Sequence, residues 1–222
     1  WLDFEYDAKD LLYFRIDRKR KLPITTLLFA LGYSRNEILE LFYDFKSFTL
    51  DKEKQKWLTK FNPNDYKRPI KLRNDLIDPK NGKTALKKGS KVNSIIAKKL
   101  FDDGLKNVSY TSDYFLGKYI KNNLSNPQTN EVFIKSGTAI TQDNINDILK
   151  YNISTIEIAD VDPITKGPYL IDTLNVDKNN SKVESINDIY KVLRPGEPPS
   201  FDIANEIFNK ISLSAERYDL SD

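Results

Sequence analysis

Apolar and polar residues alternate at the start of this chain. In LDFEYD, residues 2–7, every second side chain is apolar and the others are acidic. Alternation with a period of two is typical of a β-strand. The residues AKD that follow suit a turn, and LLYFRID, residues 11–17, has the composition of a returning strand. The sequence therefore predicts a β-hairpin that leads directly into RIDRKRKLP, residues 15–23.

Two helix-start signals come after this hairpin. Pro23 suits the first turn of a helix that runs through Leu31, and Gly32 suits the position just after its end. Ser34 and Glu37 have the spacing of a capping box, in which each residue satisfies a backbone amide of the other. We therefore expect two short helices, the second of them over EILELFY.

The last quarter of the chain has signals of the same kind. GPYLIDTLNVD, residues 167–177, is predicted to be strand. Ser181 and Glu184 form a second capping-box pattern before KVESINDIYKVL, and RPGEPP is expected to end that helix. Ser200 can cap a last helix over FDIANEIFNKI.

The middle of the chain repeats itself. Residues 78–110 align with residues 126–158 at a shift of 48, so that Pro79 meets Pro127 and Gly89 meets Gly137. Six apolar positions also coincide: Leu86, Val92, Leu100, Phe101, Leu105 and Val108 meet Ile134, Ile140, Ile148, Leu149, Ile153 and Ile156. Matches at turn and core positions indicate two copies of one β-turn-β-helix-β unit.

Composition narrows the possible chemistry. The chain has 222 residues, 39% of them hydrophobic, and lacks Cys, His and Met altogether. Disulfides, thiolate or imidazole metal sites and Ser-His or Cys-His nucleophiles are thereby excluded. A chain that opens on Trp1 and has no Met is expected to be a piece of a longer protein. No apolar run approaches the roughly 20 residues that span a membrane, so we expect a soluble, cytoplasmic fragment.

The strongest candidate for binding is the basic run. The net charge is only +3, too small to indicate a nucleic-acid binder by itself. The run, however, contains five cations and one acid, Asp17, just before a predicted helix start, whose positive dipole end would repel them. If Asp17 pairs with one arginine, four cations remain uncompensated. Contact with nucleic-acid phosphates is favoured over a solvated charge cluster.

Other polar motifs are weaker. Asp177, Asn179 and Ser181 have calcium-loop spacing, but Lys182 stands where such loops need Gly, so a turn and helix cap is the better interpretation. Asp160 and Asp162 could chelate a metal, but a linker explains them better. For Trp1 the sequence alone favours a core position.

The outer segments resemble a known family. WLDFEYDAKD, RIDRKRKLP, GPYLIDTLNVD, YKVLRPGEPPS and AERYDLSD together resemble the β subunit of bacterial DNA-directed RNA polymerase. The resemblance implies an α+β fold: a mixed lobe domain of residues 1–45 and 166–222, interrupted by an inserted module of two β-β′-type repeats, residues 46–165. This lobe would wall the downstream DNA channel.

The same resemblance implies roles for individual residues. Trp1 would stack on a non-template base rather than lie in the core, and Asp17, Arg18, Lys19 and Arg20 would face DNA. Lys19 stands where the family usually has Arg, which keeps the charge but loses the planar fork. Asp219 would lie near a pocket for a flipped non-template guanine.

We therefore interpret the chain as a non-catalytic, DNA-binding part of a nucleotidyltransferase. No cofactor is expected in this piece, since the Mg²⁺ of the polymerase would be bound elsewhere. The expected partners are DNA, the other polymerase subunits and sigma factor, with no membrane. Two alternatives remain: a stand-alone protein-interaction module with an incidental basic patch, and a hydrolase that uses carboxylates alone.

Overall fold

A computed structural model describes residues 1–161, 167–198 and 200–212. It contains both helices and sheets, so the α+β prediction is confirmed at this level. The α-helices are α1 (Ile24–Ala30), α2 (Arg35–Phe42), α3 (Ser94–Asp102), α4 (Gln142–Lys150), α5 (Tyr169–Val176), α6 (Lys182–Leu193) and α7 (Phe201–Ser212). Two 3₁₀ helices span Pro63–Tyr66 and Ser112–Phe115.

The strands form four sheets. They are β1 (Leu2–Tyr6), β2 (Leu12–Ile16), β3 (Leu22–Pro23), β4 (Phe45–Asp51), β5 (Lys56–Lys60), β6 (Ile70–Lys71), β7 (Leu76–Ile77), β8 (Thr84–Leu86), β9 (Lys91–Val92), β10 (Asn107–Tyr110), β11 (Leu124–Ser125), β12 (Val132–Ile134) and β13 (Thr155–Ala159). The chain divides into two compact units: unit 1 is Trp1–Asp44 with Val161–Asp222, and unit 2 is Phe45–Asp160. None of the helices in the described part of the chain combines the length and apolar character that a membrane crossing requires.

Unit 1 joins a small sheet to helices from both ends of the sequence. Its strands are antiparallel in the order β1-β2-β3, and β1 with β2 is the predicted hairpin. The core combines side chains near the start of the chain with side chains from α6 and α7: Phe14, Ile16, Leu22, Ala30, Ile186, Ile189, Tyr190, Val192, Ala204 and Phe208. Residues 1–44 and the C-terminal helices therefore share one apolar core.

The predicted helix starts are confirmed where the capping chemistry is local. The Ser34 hydroxyl accepts from the Glu37 amide at 3.3 Å, and the Glu37 carboxylate accepts from the Ser34 amide at 2.7 Å. Ser181 caps α6 in the same way, although the Glu184 carboxylate accepts from Asn180 rather than from the cap residue. Reciprocal bonds over three residues need no distant partner, so sequence spacing identifies them.

The predicted strand over residues 167–177 is wrong, since most of it is α5. Leu170, Ile171 and Leu174 are buried together with Thr173, whereas Asn175 and Val176 are exposed. This is the 3.6-residue spacing of a helix face, and strand alternation would instead place Asp172 on the same face as Leu170 and Leu174. The apolar composition fits both states, and packing selects the helix.

A buried polar cluster holds the segment after α5 against α1. The Asp177 carboxylate accepts hydrogen bonds from the hydroxyls of Thr25 and Thr26 and from the Asn179 amide, the last two at 2.9 Å. The Asn179 side chain in turn donates to Asp188 at 3.1 Å. Asp177 and Asn179, which have calcium-loop spacing in the sequence, thus satisfy buried hydroxyls and amides.

Unit 2 has similar elements at two places 48 residues apart. Helix α3 begins at Ser94 and α4 at Gln142, and β7 and β8 precede α3 as β11 and β12 precede α4. Strands β10 and β13 follow the two helices and belong to one six-stranded sheet of order β13-β4-β5-β10-β7-β8. The buried side chains form one cluster around Trp57 and Phe115 and another around Leu76 and Val108.

The first and last strands of unit 2 are hydrogen-bonded neighbours. Strands β4 and β13 pair antiparallel, and Phe45 stands directly opposite Ala159. Directly opposed residues in such a pair have Cα atoms only about 4.5–5.5 Å apart. The chain therefore enters and leaves unit 2 at almost the same point.

The Asp177 cluster yields a stability prediction. Replacing Asp177 with Ala leaves two buried hydroxyls and one amide without their acceptor, so we expect the free energy of unfolding to fall by about 2–4 kcal/mol. Urea unfolding followed by circular dichroism measures the change. Lys178→Ala, next in sequence but exposed, is the control and should stay within about 0.5 kcal/mol of the original chain. Equal stability of Asp177→Ala and the control would contradict the role given to the cluster.

Candidate nucleic-acid interface

The basic run lies on a tight turn between β2 and β3. The Lys19 amide donates to the Ile16 carbonyl at 3.0 Å, and the two residues between them, Asp17 and Arg18, have φ angles of +49° and +57°. Two successive positive φ angles are the signature of a type I′ turn. Asp tolerates this conformation, but Arg does so only with strain, because its Cβ crowds the backbone.

Three of the five cations of the run form hydrogen bonds or ion pairs with other residues of unit 1. Arg15 donates to Glu5 at 3.1 Å, and Lys21 lies 3.6 Å from the same carboxylate. The hydrogen bond from Arg15 holds the pKa of Glu5 below its ordinary value. Lys19 Nζ donates to the carbonyl of Leu193 at 2.6 Å, where α6 ends and a cation is favoured by the helix dipole.

Two of the five cations of the run, Arg18 and Arg20, have no partner among the described residues. Arg18 and Arg20 are exposed, and neither forms a hydrogen bond or ion pair with the part of the chain that the structure describes. The expectation of four uncompensated cations is therefore wrong, because Glu5 and the Leu193 carbonyl come from other elements of the fold. The expected pairing of Asp17 with an arginine is also wrong.

Asp17 instead contacts Trp1. Its backbone amide donates to the Trp1 carbonyl at 2.8 Å, and this main-chain hydrogen bond holds the turn beside the first residue. The arrangement places an indole beside the turn that presents two free guanidinium groups.

Trp1 is on the surface and not in the core. The residue is 72% exposed, and the indole Nε1 donates to Asp3 at 2.6 Å. That hydrogen bond fixes one edge of the ring and leaves its faces without an aromatic neighbour among the described residues. A tryptophan held in this way has the geometry of a stacking platform. The core position favoured by the sequence alone is therefore wrong for Trp1.

The sequence did not indicate the exposed apolar face of β1. Leu2, Phe4 and Tyr6 are exposed, whereas Asp3 and Glu5 between them are half-buried. Phe4 stands opposite the buried Phe14, so the two side chains lie on the same face of the sheet. This face is buried at β2 and exposed at β1. Alternation shows which side chains share a face but not whether that face is covered.

The remaining predicted positions add no further residue to the candidate site. Asp219 lies outside the described residues, as does Asp162. Within residues 1–161, 167–198 and 200–212, no group of three or more acidic side chains is arranged to hold a metal ion. In this part of the chain, the turn with Arg18 and Arg20 beside Trp1 is the candidate site.

Comparison with known proteins identifies the family. A family model described as RNA polymerase Rpb2, domain 2, matches residues 1–125, more than half of the chain. The chain belongs to this family. The Rpb2 domain 2 match begins at Trp1, includes the turn with Arg18 and Arg20 (hereafter the Trp1 turn), and continues far into unit 2.

Relatives of this Rpb2 domain 2 chain cover its whole length. The DNA-directed RNA polymerase subunit beta of Rickettsia felis is 42% identical over 222 residues, and that of Caulobacter vibrioides is 40% identical over 221 residues. Similarity therefore extends beyond the outer segments that carried the resemblance. In both cases the match covers 100% of this chain and 16% of the relative.

The turn geometry generates a prediction about stability. Arg18→Gly should raise the free energy of unfolding by about 0.5–1 kcal/mol, because glycine adopts positive φ without a Cβ clash. Arg20→Gly is the matched control, since Arg20 is not among the positive-φ residues, and it should leave stability unchanged or lower it. Thermal unfolding at fixed ionic strength compares the three chains. If Arg18→Gly is no more stable than Arg20→Gly, the positive φ at Arg18 imposes no strain.

Proposed function

We propose that this chain is part of the lobe of a bacterial RNA polymerase β subunit and holds DNA in the downstream channel. The observation that carries the proposal is the pair of unpartnered guanidinium groups, Arg18 and Arg20, on a turn beside an exposed tryptophan. Membership of the Rpb2 domain 2 family and the names of the relatives support it. The protein would act in the cytoplasm, together with the other polymerase subunits and sigma factor.

Arg18 and Arg20 would contact phosphates of the DNA backbone. Phosphate contacts need exposed, uncompensated cations, and the planar guanidinium group suits a phosphate in two-point geometry. Lys19 would hold the turn against α6, since its ammonium group already donates to a backbone carbonyl. Asp17 would keep Trp1 beside the turn through its backbone amide, which donates to the Trp1 carbonyl.

Trp1 would stack on an unpaired base of the non-template strand. Stacking on aromatic side chains is worth about 1–3 kcal/mol per base and tolerates any sequence. An exposed indole that is fixed at one edge by Asp3 suits this role. Asp219 is proposed, from the family resemblance alone, to lie near a pocket for a flipped guanine.

Catalysis would belong to the complete polymerase. Templated nucleotidyl transfer uses Mg²⁺ held by carboxylates, and we assign those carboxylates to other parts of the enzyme. The contribution of the present residues is to bind and orient DNA. In the turn region, Glu5 contacts Arg15 and Lys21, which gives this acid a structural role.

Unit 2 would be an insertion built from two β-β′-type repeats. The similar elements 48 residues apart support a duplication, and the Phe45–Ala159 pair supports an insertion, because an added module needs neighbouring ends. The family model and the relatives match well into this unit, so the insertion would be shared by them.

The DNA-contact proposal predicts a change in salt dependence. Arg18→Gly combined with Arg20→Ala should lower the magnitude of the log–log salt slope for duplex DNA by about 1.8, at about 0.9 per phosphate contact. Fluorescence anisotropy with a labelled duplex at several salt concentrations measures the slope. Because Arg18→Gly is expected to stabilise the turn, weaker binding cannot be attributed to unfolding.

A charge-matched control completes this test. Lys178→Gln with Lys182→Gln removes two exposed cations elsewhere in unit 1 and should leave the slope nearly unchanged. An equal decrease in both double variants would show that only net charge matters. Absence of measurable duplex binding by the original chain at low salt would also count against the proposal.

The insertion proposal predicts that unit 2 can be removed. Joining Asp44 to Val161 through a short Gly/Ser linker should leave unit 1 folded, because closing a gap between neighbouring ends costs little loop entropy. Residues 45–160, expressed alone, should also unfold cooperatively on heating. Circular dichroism follows both pieces. Loss of cooperativity in the rejoined chain, restored only when unit 2 is present, would mean that the two parts depend on one core.

A further inference from the structure

The two similar segments of unit 2 differ sharply in charge. Residues 78–110 contain eight lysines and three acids, whereas residues 126–158 contain two lysines and four acids. In both, a strand precedes and a strand follows a nine-residue helix, and the place of β9 in the first segment is taken by an isolated bridge residue, Ala139, in the second. Since the second segment forms these elements without the lysines, the fold does not require them in the first.

Two of the basic side chains in unit 2 are directly opposed. Strands β6 and β9 pair antiparallel with Lys71 opposite Lys91, and both residues are exposed. Neither side chain has a hydrogen bond or ion pair within the described residues. Like charges at directly opposed positions destabilise a strand pair. The residues 48 positions later, Tyr119 and Ala139, also form an antiparallel bridge, and both are uncharged.

The loop before β9 brings further cations to this strand pair. The Gly89 amide donates to the Leu72 carbonyl at 2.8 Å, and the Leu72 amide donates to the Ser90 carbonyl at 2.9 Å. The Lys71 stem lies across this loop, with its Cε 3.8 Å from where a Cβ on Gly89 would be. We call the exposed cations of this region the basic ribbon: Lys71, Arg73, Lys87, Lys88 and Lys91.

The nearby acid does not neutralise the ribbon. The Asp75 carboxylate accepts from the backbone amide of Lys88 at 2.6 Å, so one of its oxygens is occupied by the main chain. Residues 71–91 contain two acids, Asp75 and Asp78, and seven cations, so this stretch stays strongly positive. Such a surface is suited to a polyanion with closely and regularly spaced charges.

The surroundings of the ribbon favour duplex over single-stranded nucleic acid. Single-strand binders supply exposed aromatic side chains on which bases stack. Within the fully described range 45–160, the large hydrophobic side chains that are exposed are aliphatic, and the exposed aromatic ones, such as Trp1 and Phe4, belong to unit 1. Lysines without stacking partners match contacts to a backbone of phosphates.

We propose that the basic ribbon of unit 2 is a second DNA-binding surface, which holds the phosphate backbone of duplex DNA. The choice of DNA over another polyanion rests on the proposed function, whereas the surface itself rests on the opposed lysines and on the contrast with residues 119 and 139. Binding brings phosphates between Lys71 and Lys91 and thereby relieves their repulsion. The ribbon contacts the backbone and does not select a base sequence.

The test uses the whole chain with Lys71→Gln and Lys91→Gln. We expect the magnitude of the salt slope for a labelled 20-base-pair DNA duplex to fall by about 1.8, because two phosphates are left without a cationic partner. Lys52→Gln with Lys135→Gln removes two exposed lysines elsewhere in unit 2 and is the matched control. An unchanged salt slope in the ribbon variant overturns the proposal, and it is the result expected if the ribbon binds an acidic protein instead. An equal decrease of the slope in the control variant also overturns it.

Two further measurements strengthen the test. Without DNA, the ribbon variant should melt at the same temperature as the original chain or higher, with a difference that shrinks as salt is added, because a like-charge pair has been removed. A lower melting temperature at low salt overturns the premise of repulsion. Single-stranded DNA, duplex RNA and unlabelled duplex DNA are compared as competitors for the labelled DNA duplex. If single-stranded DNA or duplex RNA competes more effectively than duplex DNA, the assignment of the ligand is wrong.

The variants at the Trp1 turn separate this inference from the proposed function. If Arg18→Gly with Arg20→Ala lowers the slope and the ribbon variant does not, the turn binds DNA and the ribbon does not. If the reverse holds, the ribbon stands and the turn assignment fails. Additive decreases in the combined variant support two independent surfaces.

Discussion

The antiparallel pairing of β4 with β13 is the constraint on which the chain organisation depends. By setting Phe45 opposite Ala159, it closes a 116-residue unit on itself and brings the two ends of that unit together. Residues 1–44 can then share one core with α6 and α7, although some 140 residues of sequence lie between α2 and α6. Long intervening segments cost little loop entropy once their ends meet.

Within unit 1, the contacts made by the strands determine which cations of the basic run are paired. The hairpin register brings Glu5 near Arg15 and Lys21, and the end of α6 supplies a carbonyl to Lys19. Arg18 and Arg20 are left unpaired, because neither meets an acid or a carbonyl among the described residues. Arg18 does so at a positive φ that glycine would adopt with less strain. Backbone strain of this kind often occurs at functional sites, which agrees with the proposed role of Arg18.

The two similar segments of unit 2 can be compared position by position. Helices α3 and α4 occupy corresponding places, each capped by a polar side chain that accepts an amide hydrogen bond. The buried Ile145 of α4 corresponds to Ala97 of α3, so apolar character is kept while volume changes. The charges around the two helices differ in sign and number. What both segments share reflects folding, and the lysines that only one of them has are the basis of the proposed DNA-binding surface.

Features that depend on neighbouring residues could be predicted from the sequence, whereas features that depend on a distant partner followed only from tertiary packing. The β1–β2 hairpin, the Ser34 and Ser181 caps and the 48-residue spacing follow from local periodicity and from hydrogen bonds that span three residues. Packing made residues 169–176 a helix, left Phe4 uncovered, and gave Lys19 the Leu193 carbonyl. Such pairings join positions far apart in sequence, and the free energy that selects them comes from packing and register, which local patterns do not encode.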